Sequence, residues 1–166
     1  MIKSVIIVNN QGKPRLTRFY VDTPLDVQKQ ILKTVHGIVS KRSDDVCCCF
    51  GHDPEDPSFK IVYRHYATLY FIFLIDEAES ELGVLDLLQV FVQVLDTCFE
   101  NVCELDLIYH FDRVNYVLDE LVMAGMVLET NIDTILQSIA DAKKLETDET
   151  SSSFLGFELP AALTSR

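Results

Sequence analysis

Residues 59–107 read FKIVYRHYATLYFIFLIDEAESELGVLDLLQVFVQVLDTCFENVCELDL. The opening part is dominated by β-branched and aromatic side chains, which predicts strands at 59–64 and 67–75 joined tightly around His65 and Tyr66. From Ser80 the period changes. Leu82, Leu85, Leu88, Val92, Leu95 and Phe99 recur at three- and four-residue steps, which places one apolar stripe along a helix of about five turns. Antiparallel pairing of strands that precede the main helices is the simplest topology.

Working outward, residues 2–9 form a β-branched run and 15–21 a second one. Between them Asn9, Asn10, Gln11 and Gly12 carry hairpin turn chemistry. Thr23 stands where a helix N-cap would, with Pro24 at the first helical position, and Leu25, Ile31, Leu32, Val35, Ile38 and Val39 make a helical stripe ending near Ser40. A short strand is expected at 46–50, followed by a surface loop at 51–57 whose prolines exclude regular structure. A third helix is predicted over 105–123, with Ile108, Phe111, Val114, Leu118, Leu121 and Val122 inward and Gly125 as its left-handed stop. Asn131 caps a fourth, with Asp133 in its first turn and Lys143 and Lys144 in its last. Residues 147–166 are polar and acidic at their start and read as a disordered tail. Residues 1–146 thus form one domain.

The chain has 166 residues, 48% of them hydrophobic, and a net charge of −12. Such a charge argues against nucleic acid as a partner, since phosphate binding needs a basic face. The charge is uneven, +3 over residues 1–64 and −15 over 65–166. Its longest apolar runs, at 5–8 and 71–75, fall far short of the ~20 residues that cross a bilayer, and its first residues lack the basic start, apolar block and small-residue cleavage site expected of a secretory leader. The five cysteines, three of them contiguous at 47–49, suit neither a disulfide framework nor a zinc site. They suggest free thiols in a cytoplasmic setting, with Cys98 and Cys103 acting as small hydrophobes. His36, His52, His65 and His110 form no metal or catalytic motif, no glycine-rich phosphate loop is present, and no serine sits in a nucleophile elbow. A thiolate pair of His65 with Cys98 or Cys103 is a conceivable enzymatic arrangement, while carboxylate pairs such as Glu79/Glu81 and Asp119/Glu120 read as solvated helix faces. The expectation is a binding protein, not an enzyme, without a cofactor.

Four motifs stand in order along the chain: Met1-Ile2-Lys3, Gly12-Lys13-Pro14-Arg15-Leu16, Tyr63-Arg64-His65-Tyr66-Ala67-Thr68-Leu69-Tyr70-Phe71 and Phe99-Glu100-Asn101-Val102-Cys103-Glu104-Leu105-Asp106-Leu107. Together they resemble the sigma, or small, adaptin subunits of the clathrin-adaptor small-chain family, over residues 1 to about 146. The run at 80–92 and Val127-Leu128-Glu129-Thr130-Asn131 are most similar to its AP-3 branch.

That resemblance implies an α+β, longin-like fold with a five-stranded antiparallel sheet flanked by α-helices. It implies a heterotetramer with a large delta-like adaptin, a beta and a medium subunit, peripheral on Golgi, endosomal and vesicle membranes and touching the membrane only through partners. It further implies a pocket for acidic dileucine signals in cargo tails, which needs an apolar cleft for two leucines and a cation for the upstream carboxylate. Carried over residue by residue, Arg15 serves the acid, Tyr66, Ala67 and Leu69 form the strand wall, and Val92, Asn101, Val102, Leu105 and Leu107 form the helical side. Without the resemblance, Leu69, Val92, Val102, Leu105 and Leu107 would read as core, and Arg15 as an edge-strand cation that discourages pairing. A platform for a small GTPase or a SNARE helix, a sigma subunit of an AP-1 or AP-2 type, and a cysteine enzyme are the other readings.

Overall fold

The computed structural model describes residues 1–41, 48–52 and 59–154, with backbone alone at 48–52 and 146–154. Strands β1 (Ile2–Asn9) and β2 (Pro14–Phe19) form the opening hairpin, followed by helix α1 (Leu25–Val39). Strands β3 (Cys48–His52), β4 (Phe59–Tyr66) and β5 (Leu69–Asp76) complete an antiparallel sheet in the order β2-β1-β5-β4-β3. Helices α2 (Glu81–Phe99), α3 (Glu104–Tyr109) and α4 (Phe111–Leu121) follow, then a two-stranded hairpin, β6 (Val122–Met123) with β7 (Met126–Val127), and helix α5 (Ile132–Phe154).

The first turn is made by Asn9, whose Oδ1 accepts the amides of Gln11 and Lys13 at 3.0 and 2.8 Å. Gly12 is required there: its φ is +76°, and a Cβ would lie 2.7 Å from the His36 ring. In β1 the pairing with β5 slips between Ile2 and Ser4, so that Lys3 is an extra residue opposite no partner. The bulge breaks the two-residue alternation. Ser4, Ile6 and Val8 face α1, whereas Ile2 joins Val5 and Ile7 on the opposite face, and the Ile2 amide donates to the Gly125 carbonyl at 2.9 Å.

Two cores result, one on each face of the sheet. Val62, Leu69, Phe71 and Phe73 pack against Val84, Leu88, Phe91, Val92 and Leu95 of α2, with Val114, Val117, Leu118 and Leu121 of α4 and Ile135 of α5 extending the layer. Ring centroids of Phe71 and Phe91 lie 6.0 Å apart, edge to face. The other core joins Ile6, Val8, Ile61, Tyr63, Ile72 and Leu74 to Val35 and Val39 of α1. Helix α2 has the length and hydropathy of a membrane-crossing helix, yet seven of its residues are buried. Its apolarity is that of a core helix.

Several expectations are corrected. The β4–β5 turn falls at Ala67 and Thr68, two residues beyond His65-Tyr66, because the ladder continues to Tyr66 opposite Leu69. Thr23 does not cap α1; its hydroxyl donates to the Val21 carbonyl and Pro24 holds the cap position. Leu25 and Leu82, expected in apolar stripes, are exposed. The predicted third helix is two, broken at His110, whose amide closes α3 on the Asp106 carbonyl and whose carbonyl opens α4 toward Val114. The His110 ring stacks on Phe99 at that break, 5.7 Å between centroids. Ile108 and Phe111 consequently face solvent, and Gly125, at φ +80°, turns the β6–β7 hairpin instead of ending a helix. The Asn131 cap on the Asp133 and Thr134 amides is present. Helix α5 runs to Phe154, past the expected order boundary at 146, since extending an existing helix needs no new nucleus. Residues 46, 47, 53–57 and 155–166 of the expected strand, loop and tail lie outside the described residues.

Candidate functional site

Arg15 projects from β2 toward the first turn of α3. Its Nε donates to Glu104 Oε1 at 2.7 Å and its Nη2 reaches the same oxygen, as does Asn9 Nδ2 at 3.1 Å. Both charged side chains are largely covered, 15% and 28% exposed, so each needs the other. Asn9 is fixed by the turn its own carbonyl oxygen builds. Glu104 begins α3, where a carboxylate complements the helix dipole. That start is held by a reciprocal cap: the Cys103 amide donates to Asp106 Oδ2 at 2.9 Å. The hydrogen bonds from Cys103 keep the Asp106 carboxyl below its ordinary pKa.

A second carboxylate ties the strand hairpin to the helices. Asp96, near the end of α2, accepts the Tyr66 hydroxyl at 2.6 Å and the Val102 amide at 2.9 Å. The first of these bonds raises the Tyr66 pKa. Around Asp96 the backbone takes unusual conformations: φ is +53° at Ala67, +52° at Glu100 and +84° at Asn101. Such left-handed non-glycine positions cost free energy and persist where surroundings enforce them. Three of the four in the described chain border this one region.

The nine residues carried over divide by burial. Leu69, Val92, Val102 and Leu107 are at most 5% exposed and belong to the α2-side core. Tyr66 packs at its edge, Ala67 is an exposed turn residue and not part of a strand wall, and Asn101 is exposed. Leu105 stands 58% exposed, pointing away from that core. What the fold brings together is therefore a closed apolar layer with Leu105 on its outside and a guanidinium already engaged. Two cavities of about 380 and 370 Å³ lie elsewhere, beneath α1 and beside Arg18, and none of the nine lines either.

Sequence reading did not single out Glu104, Asn9 and Asp96. Glu104 was visible as one of three acids in the motif at 99–107, but its partner is 89 positions away.

Cys98 is half-buried and burial pushes its thiol pKa up, whereas Cys103 is exposed, contrary to the hydrophobe reading. The His65 ring stacks on Tyr70, 4.2 Å between centroids, on the β4–β5 ladder. Among the described residues no group of three or more His, Cys, Asp or Glu could hold a metal.

The family described as clathrin adaptor complex small chain matches residues 1–146. AP-3 complex subunit sigma-2 of Homo sapiens is 52% identical over 151 residues, covering 90% of this chain and 78% of that protein. AP-3 complex subunit sigma of Dictyostelium discoideum is also 52% identical, with 90% of each covered. The AP-3 complex component APS3 of Candida albicans is 43% identical over 99% of this chain and 95% of its own length. A chain in a homology model of the full-length AP-3 complex in a stretched open conformation superposes with a TM-score of 0.70 at 38% identity, covering 92% of this chain and 99% of that one. The family match spans the whole expected domain, and the chain belongs to the clathrin adaptor complex small chain family.

Proposed function

We propose that this chain is the small subunit of an AP-3-type heterotetrameric adaptor that selects membrane cargo for transport from Golgi and endosomes to lysosome- or vacuole-type organelles. Support for assembly comes from apolar side chains left in solvent: Ile108, Tyr109 and Phe111 around α3, and Met123, Met126, Val127 and Leu128 on the β6–β7 hairpin. Apolar surface of this kind belongs under a partner. A delta-like large adaptin is the partner proposed, with beta and medium subunits completing the complex. Membrane contact runs through those partners.

Within the assembly, the region of Arg15 and α3 takes acidic dileucine signals. The observation that carries this reading is the placement of Arg15, a largely buried cation at the rim of an apolar layer formed by Leu69, Val92, Val102 and Leu107, with Leu105 free on the rim. The layer must open to admit two leucines. Leu105→Asp tests it without touching the core: calorimetry of the assembled complex with an acidic-x-x-x-Leu-Leu peptide should show binding lost, since a carboxylate replaces an apolar contact, while assembly persists. Unchanged peptide affinity would overturn the assignment.

A further inference from the structure

The guanidinium that this reading assigns to the acid of a sorting signal is occupied by the chain itself. One oxygen, Glu104 Oε1, takes Arg15 Nε at 2.7 Å, Arg15 Nη2 and Asn9 Nδ2 at 3.1 Å. A carboxylate arriving from a ligand would meet the same three donors, so the two acids compete for one place. We propose that Glu104 is a gate residue, an internal stand-in for the signal's acidic side chain whose displacement opens the site. The inference rests on the dileucine reading above.

The stand-in is needed because Arg15 is only 15% exposed in its side chain, and a cation so covered is costly to leave unpaired. Glu104 satisfies it in the empty state at no loss of order elsewhere. Asn9 is fixed independently of Glu104 by the amides of Gln11 and Lys13 on its own oxygen, and the backbone of Arg15 is set by its strand. Removing Glu104 therefore leaves a prepared cradle for another carboxylate.

Position makes Glu104 more than a competitor. It is the first residue of α3, and Leu107, one turn on, is buried in the core that two leucines would have to enter. Drawing Glu104 off Arg15 unties the start of this six-residue helix from β2, and its approach from α2 runs through the strained Glu100 and Asn101. Acid recognition and opening of the apolar layer are thus one movement. A signal with an upstream acid exchanges one ion pair for another, whereas a signal with alanine there must open the layer against an intact pair. Discrimination between them comes from Glu104 as much as from Arg15.

The test uses the assembled adaptor complex and two peptides, one with Glu and one with Ala at the upstream position. Glu104→Gln keeps the shape and removes the charge; it should raise affinity for both peptides and narrow the gap between them, the alanine peptide gaining about tenfold, the scale of one charge-assisted hydrogen bond. In an Arg15→Ser background the same change should give no gain. Should Glu104→Gln fail to assemble, Glu104→Asp, which withdraws the carboxylate by one methylene, should raise affinity in the same sense. A uniform fall for both peptides would mean that Glu104 only holds the fold, and unchanged affinities would mean that it does not gate; either overturns the proposal. Absence of binding to both peptides in the wild type would instead overturn the dileucine reading, and the gate with it.

Discussion

On one face of the sheet Val62, Leu69, Phe71 and Phe73 meet α2, with α4 and α5 packed behind; on the other, Ile6, Val8, Ile61, Ile72 and Leu74 meet α1, which buries only Val35 and Val39. The first face is a finished core. The second keeps a cavity of about 380 Å³ between Phe19, Ile31, Phe59 and Leu74, and the Ser4 hydroxyl on its wall is fully buried without a hydrogen-bond partner. The candidate site stands on the finished side. A pocket that must open and reclose benefits from a wall that holds its shape.

Stability measurements can break this contrast. Phe91→Ala, in the middle of the α2 layer, should cost about 3–5 kcal/mol in urea unfolding, whereas Val35→Ala, two methyl groups at the half-covered α1 face, should cost about 1–2 kcal/mol. Equal losses would mean that the faces are equally packed. Ser4→Ala sharpens the comparison further: removing an unpaired buried hydroxyl should leave stability unchanged or raise it by about 1 kcal/mol. A loss of that size would show that the hydroxyl is bonded in solution.

A last test concerns pH. Tyr20, packed against the α2-side core, donates its hydroxyl to the Val122 carbonyl at 3.2 Å, and burial pushes its pKa up to about 12 from 10.0. The folded state favours the protonated phenol. This contribution is therefore fully present below pH 10 and lost as pH rises toward 12. Tyr20→Phe should flatten stability over that window in unfolding titrations, and an unaltered slope would refute the burial assignment.

Much of this was legible from residue order. The strand-to-helix change of period at Ser80 marks β5 and α2, and Asn9 through Gly12 marks the first turn, because both depend on neighbours in sequence. The break at His110 was not, since Ile108 and Phe111 continue a helical stripe that the fold turns toward solvent. Periodicity says which residues are apolar, not what covers them. For the same reason Leu69, Val92, Val102 and Leu107 could be matched to a pocket while nothing local told that the layer is closed. Arg15 was found through its motif, but its pairing with Glu104 joins β2 to α3 and exists only in three dimensions.

The extra residue at Lys3 has a consequence for how the chain is completed on the ribosome. By sending Ile2 to the α2 face, it makes the Ile2 amide wait for the carbonyl of Gly125, while the rest of the β1 ladder waits for β5 in any case. One flank of the first-made strand thus stays open through much of synthesis, offering unsatisfied backbone to any passing chain.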